Sequence, residues 1–388
     1  MKNSLGSPAR GDAFYPRDRE VKKLYRVLNS GTSIYLSAPR RVGKTSILKH
    51  IEEFPEDGYY FVYVITESVD SQNEFFKVIF EALLHSQAIN VLAKASTHLR
   101  DGVANILDRL KKVYNVELRE RGETDYYELL IELFGNVKKE LGHLVIQIDE
   151  FPQTIQNILN KEGKDEAERF IQKNRSLRHH QDVAEKIQFI YTGSLSLHPI
   201  VEQITQLTAV NDLRTVELQA LNVEEAKDFL TRLLSAENII LQAHVLEYVI
   251  TKMKWLIPFH LQLIAQELIE VSEADEVVIE MLEVDKAFEQ IVHVRNRPQF
   301  EPYFARLNSV FKGAEYLMVM DVLKDVATND SINENEMINY AVKHDIADLQ
   351  RIKNLLEGDG YLYYSHEDQV YRYTSPILQL WCRKQMCR

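Results

Sequence analysis

Ala38-Pro-Arg-Arg-Val-Gly-Lys-Thr-Ser46 is the stretch that decides the fold. The residues before it, Ser33-Ile-Tyr-Leu-Ser37, are apolar and β-prone, and Thr45-Ser-Ile-Leu-Lys-His-Ile51 continues with helical spacing. A strand, a tight turn and a helix start form the setting in which backbone N–H groups can cradle phosphate oxygens. Gly43 permits close backbone approach, Lys44 can reach terminal phosphates, and the Thr45 hydroxyl can ligate Mg²⁺. Pro39, Arg40, Arg41, Val42 and Ser46 complete the candidate cradle. The pattern G-x-x-x-x-G-K-[ST] departs at its first position, which is Ala38; a methyl group fits there if the backbone angles are ordinary.

Leu144-Val-Ile-Gln-Ile-Asp149-Glu150 is the second landmark. An apolar strand ending in adjacent carboxylates lets one acid orient Mg²⁺ and the next act as general base on a water. These roles fall to Asp149 and Glu150. A further strand is predicted over Ile187-Gln-Phe-Ile-Tyr-Thr-Gly-Ser194, whose end offers two hydroxyls, Thr192 and Ser194, with Ser194 preferred as a terminal-phosphate sensor. The charged helical stretch 161–186 supplies Arg175 and Arg178 as candidate donors of positive charge to a transition state, in cis or from a second copy.

Between these landmarks the pattern alternates strand and helix. Gly58–Ile65 reads as a strand, Ser71 and Glu74 as a capping box ahead of a helix, and Asp125–Lys139 as another helix with Leu129, Leu130, Leu133, Phe134 and Val137 inward. Residues 85–122 interrupt the alternation as a helical insertion that includes the charged run Glu117–Glu123. Ahead of the turn, FYPRDREVKKLYRVLNSG places Val21, Leu24, Tyr25 and Leu28 on one helical face, with Phe14, Tyr15, Pro16 and Arg17 available to flank a base.

After Val216 the pattern becomes helical: Asn222 and Glu225 form a capping box, Pro258 opens a helix, and Phe259 and His260 follow it. Helices are predicted over 314–326, 333–342 and 345–357, then a hairpin of Tyr361–Tyr364 and Val370–Tyr373 around Ser365-His-Glu-Asp368. Three helices and a hairpin predict a winged helix. Residues 311–360 carry ten Asp/Glu against five Lys/Arg. Phosphate contact favours the opposite balance, so protein docking, autoinhibition and DNA binding all stay open for this module.

The whole chain agrees with a multidomain soluble protein. Its 388 residues suffice for two or three cores, and 46 Lys/Arg against 58 Asp/Glu leave a net charge of −12, which does not draw nucleic acid electrostatically. No apolar run has the length of a membrane span, and the start MKNSLGSPARGD lacks a secretion signal, so a cytoplasmic location is expected. Cys382 and Cys387 are read as incidental thiols.

These motifs resemble the prokaryotic AAA+ ATPases called the archaeal ATPase family, related to the signal-transducing STAND ATPases. YPRDRE, APRRVGKTS, LVIQIDEF, FIYTGS, LIPFHLQLIAQEL and YRYTSPILQLWCR carry the resemblance. It implies an α/β P-loop NTPase core with a parallel sheet over residues 1–215, a helical lid over 216–300 and a C-terminal winged helix over 301–388. ATP and Mg²⁺ are the implied ligands, with Lys44, Thr45, Asp149, Glu150 and Ser194 in their expected roles and Arg17 and Pro258 around the nucleotide. A slow ATP-driven switch with a protein partner is the first functional expectation; an ATP-dependent DNA-binding regulator or an oligomeric remodeller of DNA or protein is the second.

Overall fold

The computed structural model describes residues 1–116, 124–275 and 278–386. The charged run Glu117–Glu123 and Cys387 lie outside the described residues. The chain forms two compact units: one comprises Pro16–Ser37 and Lys44–Leu218, the other Met1–Tyr15, Ala38–Gly43 and Gln219–Arg388.

In the first unit the elements run α1 (Asp18–Asn29), β1 (Ile34–Ser37), α2 (Lys44–Glu53), β2 (Tyr59–Ile65), α3 (Gln72–His85), α4 (Gln87–Ala95), α5 (Thr97–Val116), α6 (Tyr126–Gly135), β3 (His143–Asp149), α7 (Phe151–Glu162), α8 (Lys164–His179), β4 (Ile187–Thr192), α9 (Leu197–Ile204) and β5 (Arg214–Glu217). The sheet order is β2-β3-β4-β1-β5 and every pairing is parallel. A parallel sheet needs crossovers that cover both faces, which explains why β3 and β4 read as near-continuous apolar runs. On one face Phe75, Phe151, Phe170 and Tyr191 interlock, with Phe151 and Tyr191 ring centres 4.6 Å apart and Phe75 and Phe170 4.9 Å apart. On the other, the Gln188 amide donates to the Leu28 carbonyl at 2.8 Å and ties β4 to the end of α1.

Local sequence sets the boundaries. Asp125 caps α6 by accepting from the amides of Tyr127 and Glu128. At α3 only half of the expected box forms: Ser71 accepts from the Glu74 amide, while the Glu74 carboxylate reaches the Asp70 amide instead of that of Ser71. The 85–122 insertion contributes α4 and α5, with Ser86 capping α4.

The second unit contains α10 (Val223–Ser235), α11 (Ala243–Met253), α12 (Pro258–Asp275), α13 (Met281–Ile291), α14 (Arg297–Val310), α15 (Ala314–Asn329), β6 (Ile332–Asn333), α16 (Glu334–Lys343), α17 (Leu349–Gly358), β7 (Leu362–Ser365), β8 (Val370–Tyr373) and α18 (Pro376–Gln385). The Asn222–Glu225 capping box forms as read, and Asn333 with Glu336 makes another at α16. The helices α15, α16 and α17 with the antiparallel order β6-β8-β7 make a winged-helix-like module. Two expectations need correction. α17 begins at Leu349 and not at Asp345, because Asp345 takes the left-handed conformation (φ 55°) and Asp348 caps the helix through the Arg351 amide. The sequence pattern also passed over α14, whose Phe300 and Phe304 stack on Trp381 at 5.6 and 4.8 Å.

One apolar cluster runs from Leu221 to Cys382 without a break at residue 300. Arg306 of α14 and Asp359 beyond α17, each 6% exposed, form a two-pronged ion pair within it. Burial of both charges makes the pair a specific lock, since removing either partner leaves the other uncompensated.

Gly142, at the entrance to β3, has φ 120°, and a Cβ there would sit 2.4 Å from the Gly58 carbonyl oxygen. Both the backbone angle and the contact select glycine. Gly142→Ala is expected to lower unfolding free energy by about 1–3 kcal/mol, read from the urea midpoint, if β2 and β3 keep their register.

Candidate functional site

Parallel pairing gives β1, β3 and β4 a common direction, so the segments that follow them leave from one edge of the sheet. Ligands of open α/β sheets bind at that carboxyl edge, beside the strand where chain order reverses. β1 occupies that position: the chain passes from it to β2 at the far edge, returns through β3 and β4, and then adds β5 on the other side.

Lys44 and Thr45 open α2, the helix that follows β1, and Lys44 is 8% exposed. The Thr45 hydroxyl donates to Asp149 Oδ2 at 2.9 Å, and the Tyr63 hydroxyl donates to the same oxygen at 2.7 Å. Asp149 Oδ1 accepts from the Glu150 amide at 3.1 Å, which fixes the second lobe of the carboxylate. Burial, followed by the Asp149 charge, pushes the Tyr63 phenol well above its ordinary range, so Tyr63 is a permanent donor here. A buried carboxylate beside a threonine hydroxyl is a hard-oxygen pair of the kind Mg²⁺ takes when substrate phosphates and waters supply its remaining ligands. Among the described residues no cluster of three or more His, Cys, Asp or Glu forms a self-sufficient metal cage. The Thr45–Asp149 donor set fits a nucleotide-bound cation.

Glu150 takes φ 64° at the start of α7. Its Oε2 accepts from both the amide and the hydroxyl of Ser194, each at 2.9 Å. The two hydroxyls at the end of β4 have different partners: Thr192 is fully buried and donates to the Leu36 carbonyl at 2.8 Å, a strand-to-strand tie, whereas Ser194 meets the acid. Gly193 makes that approach possible, since a Cβ there would lie 2.7 Å from Pro152 Cδ and 3.3 Å from Glu150 Oε2.

The turn itself shows where the missing glycine goes. Ala38 is not among the residues at positive φ; Arg41 (φ 63°) and Gly43 (φ 106°) are. The methyl at position 38 is thus compatible with the turn, and the left-handed residue is an arginine. Arg41 lies 3.8 Å over the Phe259 ring and donates to Gln299 Oε1 at 3.2 Å, while Arg40 donates to the Pro302 carbonyl at 3.0 Å. Pro258 is the first residue of α12. The Phe259 ring carries the Arg41 guanidinium. His260 is buried, its Nδ1 3.4 Å from the Ser375 hydroxyl, and burial, followed by the Arg41 charge, pulls its pKa down to about 3, which keeps it neutral.

The residues ahead of α1 divide their roles. Tyr15 packs edge-on against Phe229 at 5.2 Å and donates to Asp228 at 2.9 Å, and burial together with that carboxylate raises its pKa to about 12. Arg17 is 5% exposed at the start of α1 and pairs with Glu20 at 3.0 Å.

Arg178 is a correction. Its guanidinium donates to both oxygens of Asp212 at 2.6 and 2.9 Å and to the Tyr191 hydroxyl at 3.4 Å, with 7% of the residue exposed. Tyr191 pairs with Ile148, so it faces the side of the sheet opposite Asp149. Burial disfavours the charged form, yet Tyr191 and Asp212 outweigh it and hold the Arg178 pKa above its ordinary value. A guanidinium tied down in this way braces α8 and does not present itself to a phosphate. Arg175 is half-buried and donates to Asn211 at 3.0 Å.

No protein-family model matches the chain, and no curated protein matches it either. Solved structures do. A Walker-type ATPase of Pyrococcus abyssi aligns with a TM-score of 0.62 over 99% of this chain and 100% of that one, at 16% identity. The ORC2 protein of Aeropyrum pernix, solved as ADPNP–ADP complexes, aligns with a TM-score of 0.54 over 95% and 93% at 13% identity. The chain thus has a P-loop NTPase fold, built on a parallel sheet. Among the described residues no single helix is long and apolar enough to cross a membrane.

Arg178→Ala is expected to lower stability by about 3–5 kcal/mol in denaturant titrations, because Asp212 is left without its partner. Burial opposes ionisation of Asp212, but the Arg178 hydrogen bonds hold its pKa below the ordinary aspartate value. Its contribution is accordingly complete above about pH 3.9 and is lost as pH falls through the lowered folded-state value. An arginine acting on phosphate would leave stability intact and remove turnover alone.

Proposed function

We propose that this protein binds Mg·ATP at the turn Ala38–Ser46, hydrolyses it, and uses the ATP/ADP cycle to change the state of its C-terminal region. The observation that carries this reading is the convergence of Thr45 on Asp149 at 2.9 Å beside a Glu150–Ser194 pair. Amides from Arg40 to Ser46 would hold phosphate oxygens, Pro39 having none to give. Lys44 would neutralise the terminal phosphates, and Thr45 and Asp149 would hold Mg²⁺, which when bound offsets developing charge on the transferred group. Glu150, oriented through Oε2 by Ser194, would take the proton of the attacking water on Oε1. Arg17 and Pro258 belong to this reading through the motif resemblance, as does kinship with the archaeal ATPase family and its STAND relatives.

Calorimetric titration separates binding from chemistry. Lys44→Ala should lose Mg·ATP affinity, while Glu150→Gln should keep it and lose about 10²- to 10⁴-fold in turnover. Unchanged affinity in the first, or wild-type turnover in the second, rejects the site.

The output of the cycle is read as work on DNA or on a protein partner, alone or in an oligomer. The winged-helix-like module favours DNA. The charges of α17 argue against direct readout by that helix: Arg351 pairs with Glu315, Lys353 pairs with Glu334 at 2.6 Å, and its exposed positions include Gln350, Asn354 and Glu357. Duplex binding by the full chain should therefore weaken with salt but keep its salt slope in an Arg351→Ala/Lys353→Ala variant, whereas contacts by α17 would lower the slope by about one per lost phosphate contact. Absence of duplex binding at low salt leaves the protein partner as the output.

A further inference from the structure

Arg41 joins two facts that are usually separate. It occupies the left-handed conformation of the phosphate turn (φ 63°), a region that glycine enters freely and a side chain enters at a cost. Its side chain is also fully engaged: the guanidinium lies 3.8 Å over Phe259 of α12 and donates to Gln299 of α14 at 3.2 Å. Arg40, next to it, is held on α14 through the Pro302 carbonyl at 3.0 Å, and both arginines lie within 6 Å of the Tyr303 ring, at 5.9 and 5.6 Å. Among the described residues neither arginine pairs with a carboxylate. Pro39 completes the set: a Cβ on Gly360, beyond α17, would sit 3.1 Å from its own Cβ and 3.3 Å from Trp255. Three consecutive residues of the turn are thus gripped by α12, α14 and the end of the winged-helix-like module. Burial lowers the Arg41 pKa, in keeping with a half-buried guanidinium held over the Phe259 ring.

We propose that Arg41 is a positioning residue that holds the phosphate turn in its binding shape through Phe259 and Gln299, and thereby couples nucleotide affinity to the seating of α12 and α14 on the turn. With its guanidinium held on Phe259 and Gln299, Arg41 acts through the backbone angle of the turn and not by touching phosphate. The coupling runs both ways by linkage: whatever releases α12 and α14 from Arg41 weakens nucleotide, and nucleotide tightens their seating. The proposal rests on the Mg·ATP reading above and supplies the device by which the C-terminal region would sense occupancy.

Arg41→Gly discriminates between this device and simple backbone strain. Glycine relieves the strain, so a turn limited only by its backbone would bind Mg·ATP as well or better; the proposal expects affinity to fall about 5- to 150-fold, the usual span of coupling between sites. Arg41→Lys, which keeps a cation over the ring, should recover part of the loss. Phe259→Leu should weaken binding too, and in the double variant with Arg41→Gly the two effects should not add, since they break one contact. Amide exchange in α12 and α14 should slow with Mg·ATP in the wild type and not in Arg41→Gly. Wild-type affinity in both single variants, with Lys44→Ala still abolishing binding, overturns the proposal while sparing the site; unchanged binding in Lys44→Ala would overturn the site itself. Should Arg41→Gly fail to fold, Phe259→Leu and Gln299→Ala carry the same test.

Discussion

Parallel strand pairing is the constraint on which the chemistry depends. Because β1, β3 and β4 run the same way in register, the turn after the first, the acids after the second and Ser194 after the third start from one edge of the sheet. The Thr45–Asp149 hydrogen bond spans 104 residues of chain and exists only because of that order. An antiparallel arrangement of the same segments would send the two landmarks to opposite edges. The sequence cost of the arrangement is visible in β3 and β4, which are apolar on both faces because helices cover both.

Within this frame small residues control approach. Gly193 lets Glu150 reach Ser194, and Gly142 lets β3 begin against the Gly58 carbonyl. Alanine at the first position of the turn is free of backbone strain for the same reason in reverse, since the left-handed angle falls on Arg41 and Gly43 and not on Ala38. What appears in sequence as a defect in a motif is a relocation of conformational demand to a residue with other means of support.

The C-terminal region has one core. Phe300 and Phe304 stack on Trp381, and Arg306 locks onto Asp359, so the helices after Leu221 and the winged-helix-like module share continuous packing through α14. Close packing transmits displacement as a unit, and rearrangement in such a body takes the form of discrete shifts and not gradual bending. The intramolecular pairing of Arg351 and Lys353 leaves α17 with little free positive charge, which sets it apart from helices built for phosphate contact.

The turn Ala38–Ser46 between a strand and a helix, the acid-ended strand, the alternation of strands and helices, and the Asn222–Glu225 capping box were all legible in the chain, because each depends on residues within a few positions of one another. Partnerships between distant segments were not. Arg178 carried the same helical signature as any surface arginine, and only the packing of Asp212 and Tyr191 around it made it a buried brace. Arg41 was readable as part of a turn, but nothing local announced that Phe259, 218 residues on, would support its backbone angle. α14 escaped because its aromatic residues, interrupted by Pro302, gain a helical role only when Trp381 stacks on them. Local chemistry fixed what each segment can form, whereas the choice of partner for each buried charge and ring required the folded chain, since those contacts are made across loops whose closure no short window of sequence records.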